Sequence, residues 1–180
     1  IGVFAGCNSG EGSGDDAITV ITRESGSGTR GAFIELFGIE EENADGEKED
    51  KTIKTAEESN STAVMMTSVE GNKNAIGYVS LGSLDSSKVK ALSIDGVEAT
   101  VENVKNGSYK VSRPFNIATM GEPSAAAQDF INYIMSEEGQ TVIEENGYIS
   151  EGNKGPFEGT NPTGTLKIAG SSSISPLMEK

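Results

Sequence analysis

Ala17-Ile18-Thr19-Val20-Ile21-Thr22, then Arg23-Glu24-Ser25-Gly26-Ser27-Gly28-Thr29, then Arg30-Gly31-Ala32-Phe33-Ile34-Glu35-Leu36-Phe37 is the stretch that decides how the chain is read. The first six residues are β-branched or apolar and read as a buried strand. A Gly/Ser loop follows. Phe33, Leu36 and Phe37 then recur at helical spacing, and Gly38 ends the helix. A helix start presents unpaired backbone N–H groups and roughly half a positive charge. Glycines let the backbone approach a ligand, and Ser27 and Thr29 add hydroxyl donors. Arg23, at the strand end, supplies a fork for two oxygens. Together these make an oxyanion cradle. It is not a Walker loop, because GxxxxGK[ST] is absent. The same residues also suit a tight βα turn in which a serine simply caps the helix.

Outward from this unit, residues 40–58 are polar and charged and read as a solvated loop with weak structure. Their acidic run (Glu40, Glu41, Glu42, Asp45, Glu47, Glu49, Asp50) reads as a solvated face rather than a metal site. A helix is expected over 61–69, strands over 75–81 and 89–94, a turn at Asp95-Gly96, and a short helix over 101–105. Residues 109–118 are extended, with Pro114 fixing one point. Residues 124–135 are amphipathic, with Ala127, Phe130, Ile131 and Ile134 on one stripe, and a second helix over 137–145 stops at Gly147. Residues 151–164 read as a linker. Strands alternating with helices give an α/β class with a mainly parallel sheet.

The chain has 180 residues, 14 Lys and Arg, 28 Asp and Glu, and a net charge of −14. It has no His and one Cys. That removes Ser-His-Asp and Cys-His hydrolases, His-based zinc or haem sites, disulfides and thiolate metal clusters. Such an acidic balance leaves no basic run to track phosphates, so no nucleic-acid partner is expected. No apolar run reaches 18 residues, the length a spanning helix needs. Ser27 and the Ser171-Ser172-Ser173 run are nucleophiles by type, but no His and no Ser-x-x-Lys motif activates them, so no enzyme activity is expected.

Near the start, Ile1-Gly2-Val3-Phe4-Ala5-Gly6-Cys7 is followed by a Gly/Ser/Asp tract. This resembles the lipobox of a bacterial lipoprotein, with Cys7 lipidated and a flexible tether after it. The alternative is that Cys7 is a small buried residue. At the other end, Leu166-Lys167-Ile168-Ala169 reads as a short strand, Gly170-Ser171-Ser172-Ser173 as a turn, and Pro176 suits the first turn of a helix. The chain reads as a fragment, incomplete at both ends. Two donor-rich strand-to-helix turns in one acidic protein fit an anion site closed from both sides.

Residues 18–33, with their Arg-x-x-x-Ser-Gly-Thr pattern, resemble the phosphate-binding protein of the high-affinity phosphate ABC transporter, the PstS family. So do Ala75-Ile76-Gly77-Tyr78-Val79-Ser80-Leu81, Ser112-Arg113-Pro114-Phe115, and the run from Asp129-Phe130-Ile131 to Gly147-Tyr148-Ile149. Ala169-Gly170-Ser171-Ser172-Ser173-Ile174-Ser175-Pro176 resembles the family's opening strand-turn-helix. The family order is reversed here, which implies a circular permutation.

The resemblance implies a two-lobed, periplasmic-binding-protein-like fold of type II, permuted and incomplete. Residues 1–16 would be a lipoprotein signal remnant and tether, 17–108 part of the second lobe, and 109–118 the hinge crossover. Residues 119–150 would be first-lobe helices, 151–164 a linker, and 165–180 the first lobe's opening strand-turn-helix. It implies that Arg23 pairs with phosphate oxygens, that Ser27 and Thr29 donate hydroxyls, and that Gly28 donates its backbone N–H. Ser172 and Ser173 would donate from the opposite lobe. The partners implied are inorganic phosphate, ABC permease subunits and, through Cys7, the outer face of the bacterial cell membrane, with no cofactor and no metal. The family's Gly-Ser-Gly-type turn and its proton-accepting Asp, which separates hydrogen phosphate from sulfate, are expected beyond Lys180. Two other readings stand beside this one: an enzyme on phosphorylated substrates, and a surface adhesion or sensor protein that reuses the lobe.

Overall fold

The computed structural model describes residues 17–150 and 152–180. Cys7 and the tether around it lie outside the described residues.

Strand β1 (Thr19–Arg23) leads through the Gly/Ser loop into helix α1 (Gly28–Leu36). A hairpin of β2 (Glu40–Glu42) and β3 (Lys48–Asp50) follows, then β4 (Glu57–Ser59), helix α2 (Thr62–Glu70) and β5 (Ala75–Ile76). β1 lies between β4 and β5, parallel to both, with Arg23 opposite Ser59 and Thr19 opposite Ala75. This is the α/β unit with a parallel sheet that the alternation predicts. The crossover through α1 moves one way along the sheet, from β1 to β4. The crossover through α2 moves back past β1 to β5. The right-handed rule for such connections sends two opposed crossovers to opposite faces. Open α/β sheets hold their ligands at the carboxyl ends of strands whose crossovers part in this way, here β1 and β4. Arg23 and Ser59 stand at those ends.

The core is small. Ile21, Ile34, Met65, Met66 and Tyr148 are its buried apolar side chains. Each contributes about 1.5–3 kcal/mol relative to exposure. Serines start most of the helices. The Ser27, Ser61, Ser124 and Ser136 hydroxyls cap α1, α2, α4 (Ala125–Ile134) and α5 (Glu137–Glu145), each accepting a first-turn N–H. Such a cap contributes about 1 kcal/mol. Helix α3 (Val101–Lys105) and the short α6 (Ser175–Met178) complete the elements.

Four expectations need correction. Residues 40–58 are not a loop but carry β2, β3 and β4. The hairpin forms because Asn43 accepts the Asp45 and Glu47 N–H groups around the turn, and Lys48 pairs with Glu40 at 2.7 Å. Its acidic side chains are nonetheless mostly exposed, as a solvated face requires. Strand β5 is two residues long rather than seven, since the chain leaves the sheet at Gly77 and later makes a single 3₁₀ turn over Leu81–Ser83. Residues 89–94 form no strand. Their pairing reduces to the bridge between Ile94 and Val97 around Asp95-Gly96, both at positive φ. Residues 166–169 also form no strand, because they find no ladder partner among the described residues, and Ile168 is exposed.

Candidate functional site

Arg23 is the last residue of the central strand and only 2% of its surface is exposed. Its backbone is fixed first. The Arg23 N–H donates to the Tyr78 hydroxyl at 2.9 Å, and that hydroxyl also bonds Thr22 Oγ1 at 2.8 Å. Tyr78 in turn stacks on Phe33 of α1, with ring centroids 4.0 Å apart. The Arg23 carbonyl accepts from Arg30 Nη1 at 2.6 Å. Arg30 is itself held by Asp50, at 2.9 Å from Nε and 2.8 Å from Nη2, and so braces the end of β1.

The Arg23 guanidinium is almost fully engaged. Nε donates to Glu24 Oε2 at 2.8 Å and Nη2 to Glu24 Oε1 at 2.9 Å, a bidentate pair. Nη1 donates to Thr62 Oγ1 at 3.1 Å, and Nη2 donates again to Ser172 Oγ at 3.0 Å. The hydrogen bonds from Arg23 hold the Glu24 carboxyl below its ordinary value of 4.5, against the opposing effect of burial. Glu24 therefore carries the charge that balances an otherwise costly buried cation.

Around that guanidinium the hydroxyls converge. Thr29 Oγ1 lies 2.5 Å from Ser173 Oγ. Thr62 Oγ1 lies 3.3 Å from both Ser172 Oγ and Ser173 Oγ. Ser173 is completely buried. Its carbonyl accepts two hydroxyls, Tyr148 at 2.6 Å and Ser83 at 2.8 Å. Tyr148 reaches that carbonyl because Gly147, at φ +80°, ends α5 with the Tyr148 N–H on the Ile143 carbonyl. The ring is also packed against Gly82, where a Cβ would lie 2.6 Å from it.

Four of the six residues expected in the site are thus brought together: Arg23, Thr29, Ser172 and Ser173. Gly28 opens α1 beside them as its first residue, where its N–H has no partner within the helix. A Cβ there would meet nothing within 4 Å, so protein packing does not demand a glycine. Ser27 is different. Its hydroxyl accepts the Arg30 N–H at 3.3 Å as the cap of α1. Accepting there leaves the Ser27 proton free, so the cap is compatible with the donor role expected of this hydroxyl.

Thr62 was not singled out, although Asn60-Ser61-Thr62 stands at a third strand-to-helix turn, between β4 and α2. That pattern was the available signal. Two depressions of about 260 and 280 Å³ flank the site, one around Ser25, Arg30 and Asp50 and one around Gly170 and Ile174. Neither includes Arg23, Thr62, Ser172 or Ser173.

A parallel sheet with an arginine and hydroxyls gathered at its carboxyl edge defines a class of oxyanion-binding α/β proteins. A family model described as a PBP superfamily domain matches residues 3–138, and the chain belongs to that family. It is 54% identical to "Phosphate-binding protein PstS 2" of Streptococcus agalactiae, over all of this chain and 62% of that protein. The chain therefore spans about six-tenths of the length of that relative. The crystal structure of a phosphate ABC transporter phosphate-binding protein from Streptococcus pneumoniae matches 90% of this chain and 63% of its own, at 47% identity and TM-score 0.70. A Clostridium perfringens structure, described as a phosphate ABC transporter substrate-binding protein with bound phosphate, matches 74% of this chain and 51% of its own, at 40% identity and TM-score 0.64.

Proposed function

We propose that the protein carrying this chain is an extracytoplasmic receptor that captures inorganic phosphate between two lobes and delivers it to an ABC permease. The observation that carries this reading is the buried Arg23 guanidinium, ringed by the hydroxyls of Thr29, Thr62, Ser172 and Ser173. These hydroxyls bond one another, as neutral pairs each contributing about 0.5–1.5 kcal/mol net. A phosphate oxyanion entering among them exchanges neutral bonds for charge-assisted ones, roughly twice as strong. The exchange favours the ligand without leaving a buried donor unpaired. The relatives support the reading, since their names describe phosphate-binding components of transporters.

Arg23, Thr29 and the Gly28 N–H act from one side of the site and Ser172 and Ser173 from the other. Residues 17–108 are then part of the second lobe, 109–118 cross the hinge, and 119–150 and 165–180 belong to the first lobe, joined by the 151–164 linker. Circular permutation accounts for the way the similarity is spread. The S. agalactiae and S. pneumoniae proteins match 100% and 90% of the chain, while the C. perfringens protein matches 74%. That drop is what a relative with the opening turn at its other end would give. Cys7 is lipidated and tethers the receptor to the outer face of the membrane.

The test is calorimetric titration of the full-length protein with phosphate and with sulfate at fixed salt. The receptor reading expects saturable, one-site phosphate binding and at least tenfold weaker sulfate. No phosphate binding, or equal binding of both, would contradict it.

A further inference from the structure

Thr62 lies outside every motif that carries the resemblance, yet its hydroxyl touches Arg23 and both serines of the C-terminal turn. Resting on the phosphate reading above, we propose that Thr62 is a positioning residue of the anion site. It aims the Arg23 guanidinium and couples it to Ser172 and Ser173.

The geometry is specific. Thr62 is the first residue of α2 and is 7% exposed. The segment before it is pinned, because Ser59 Oγ donates to the Ser61 carbonyl at 2.9 Å and the Ser61 hydroxyl accepts the Val64 N–H at 3.2 Å. Thr62 Oγ1 accepts from Arg23 Nη1 at 3.1 Å, and this commits its own proton outward. Two acceptors stand in reach of that proton, Ser172 Oγ and Ser173 Oγ, each at 3.3 Å. One proton shared between two serine oxygens is a choice that an entering oxyanion can settle. Once the serine hydroxyls turn to the ligand, Thr62 keeps hold of Arg23. Without it, Nη1 has lost its acceptor and the guanidinium is steered by Glu24 and Ser172 alone.

The test uses the full-length protein and inorganic phosphate. Thr62→Val keeps the shape and removes the hydroxyl, and Thr62→Ser keeps the hydroxyl and removes the methyl. The expected result is a 10- to 100-fold weaker phosphate Kd for Thr62→Val, with Thr62→Ser within threefold of wild type. A purely structural threonine gives the opposite pattern, with Thr62→Val near wild type and Thr62→Ser weakened, and that result overturns the proposal. Should Thr62→Val fail to fold, Thr62→Ala against Thr62→Ser makes the same comparison, and equal affinities there also overturn it. A wild-type protein that does not bind phosphate overturns the receptor reading and this inference with it. A binding wild type with an unaffected Thr62→Val overturns this inference alone.

Discussion

Thr29 and Ser173 are 144 positions apart in the chain, and their hydroxyl oxygens meet at 2.5 Å. Thr29 belongs to the first turn of α1, and Ser173 to the turn that precedes α6. This one contact joins the two donor-rich turns at the carboxyl edge of the sheet. It also makes Ser173 the most deeply placed residue of the cluster, with no exposed surface. Its position depends on what holds its carbonyl, namely Tyr148 and Ser83.

That dependence gives the first prediction. A Cβ on Gly82 would stand 2.6–2.7 Å from three ring carbons of Tyr148. Gly82→Ala must displace the ring or the backbone, at a cost on the order of 1–3 kcal/mol. Moving the ring pulls its hydroxyl off the Ser173 carbonyl, so phosphate affinity falls with stability. Urea unfolding and phosphate titration of the purified variant check this. A variant as stable as wild type would show that the ring is not wedged there.

The second prediction concerns pH. Bonds from Arg23 hold the Glu24 carboxyl below 4.5 in the folded chain. A depressed carboxyl contributes stability that is fully present above its unfolded value. That stability is lost as pH falls through the folded value. Stability is therefore expected to decline on acidification below about pH 4.5, and Glu24→Gln should flatten that acid limb while leaving the curve above pH 6 similar in shape. Melting temperature against pH for both proteins decides it. An unchanged acid limb in Glu24→Gln would remove the pair from the account.

Much of the fold and site is legible in the sequence, for physical reasons that differ from residue to residue. Residues 17–37 announce themselves, because a β-branched run, a Gly/Ser turn and a helical apolar stripe each carry a period or a breaker. Arg23 stands where strand meets loop, so its place at the carboxyl end of β1 follows from position. Strand β4 is hidden because Glu57-Glu58-Ser59 has no apolar face, and its place in the sheet comes from pairing with β1. Thr62 and Tyr148 are hidden for a related reason. Each works through a contact across 39 or more residues of sequence (Thr62 to Arg23), or through a carbonyl that no pattern marks (Tyr148 to Ser173). Residues 89–94 mislead in the other direction, since apolar residues there find no neighbouring strand.

A third prediction concerns Cys7, which an apolar, small-residue run precedes and a polar tract follows. Expression of the full reading frame in a bacterial host should yield a mature protein that begins at Cys7 and carries the mass of a lipid on its sulfur. Mass spectrometry of the membrane fraction reads both. An unmodified Cys7 in membrane-free protein would contradict the anchor.

Whether Arg23 is the main anion ligand is decided by titrating phosphate into full-length Arg23→Ala and Ser27→Ala, with folding checked for both. On the receptor reading the buried Arg23 guanidinium makes charge-assisted bonds to the ligand, so its loss is expected to weaken binding by about 2–5 kcal/mol, roughly 30- to 5,000-fold. The Ser27 hydroxyl caps α1, so its loss is expected to lower stability by about 1 kcal/mol and to weaken binding less. Equal losses of affinity, or a larger loss for Ser27→Ala, would contradict that role.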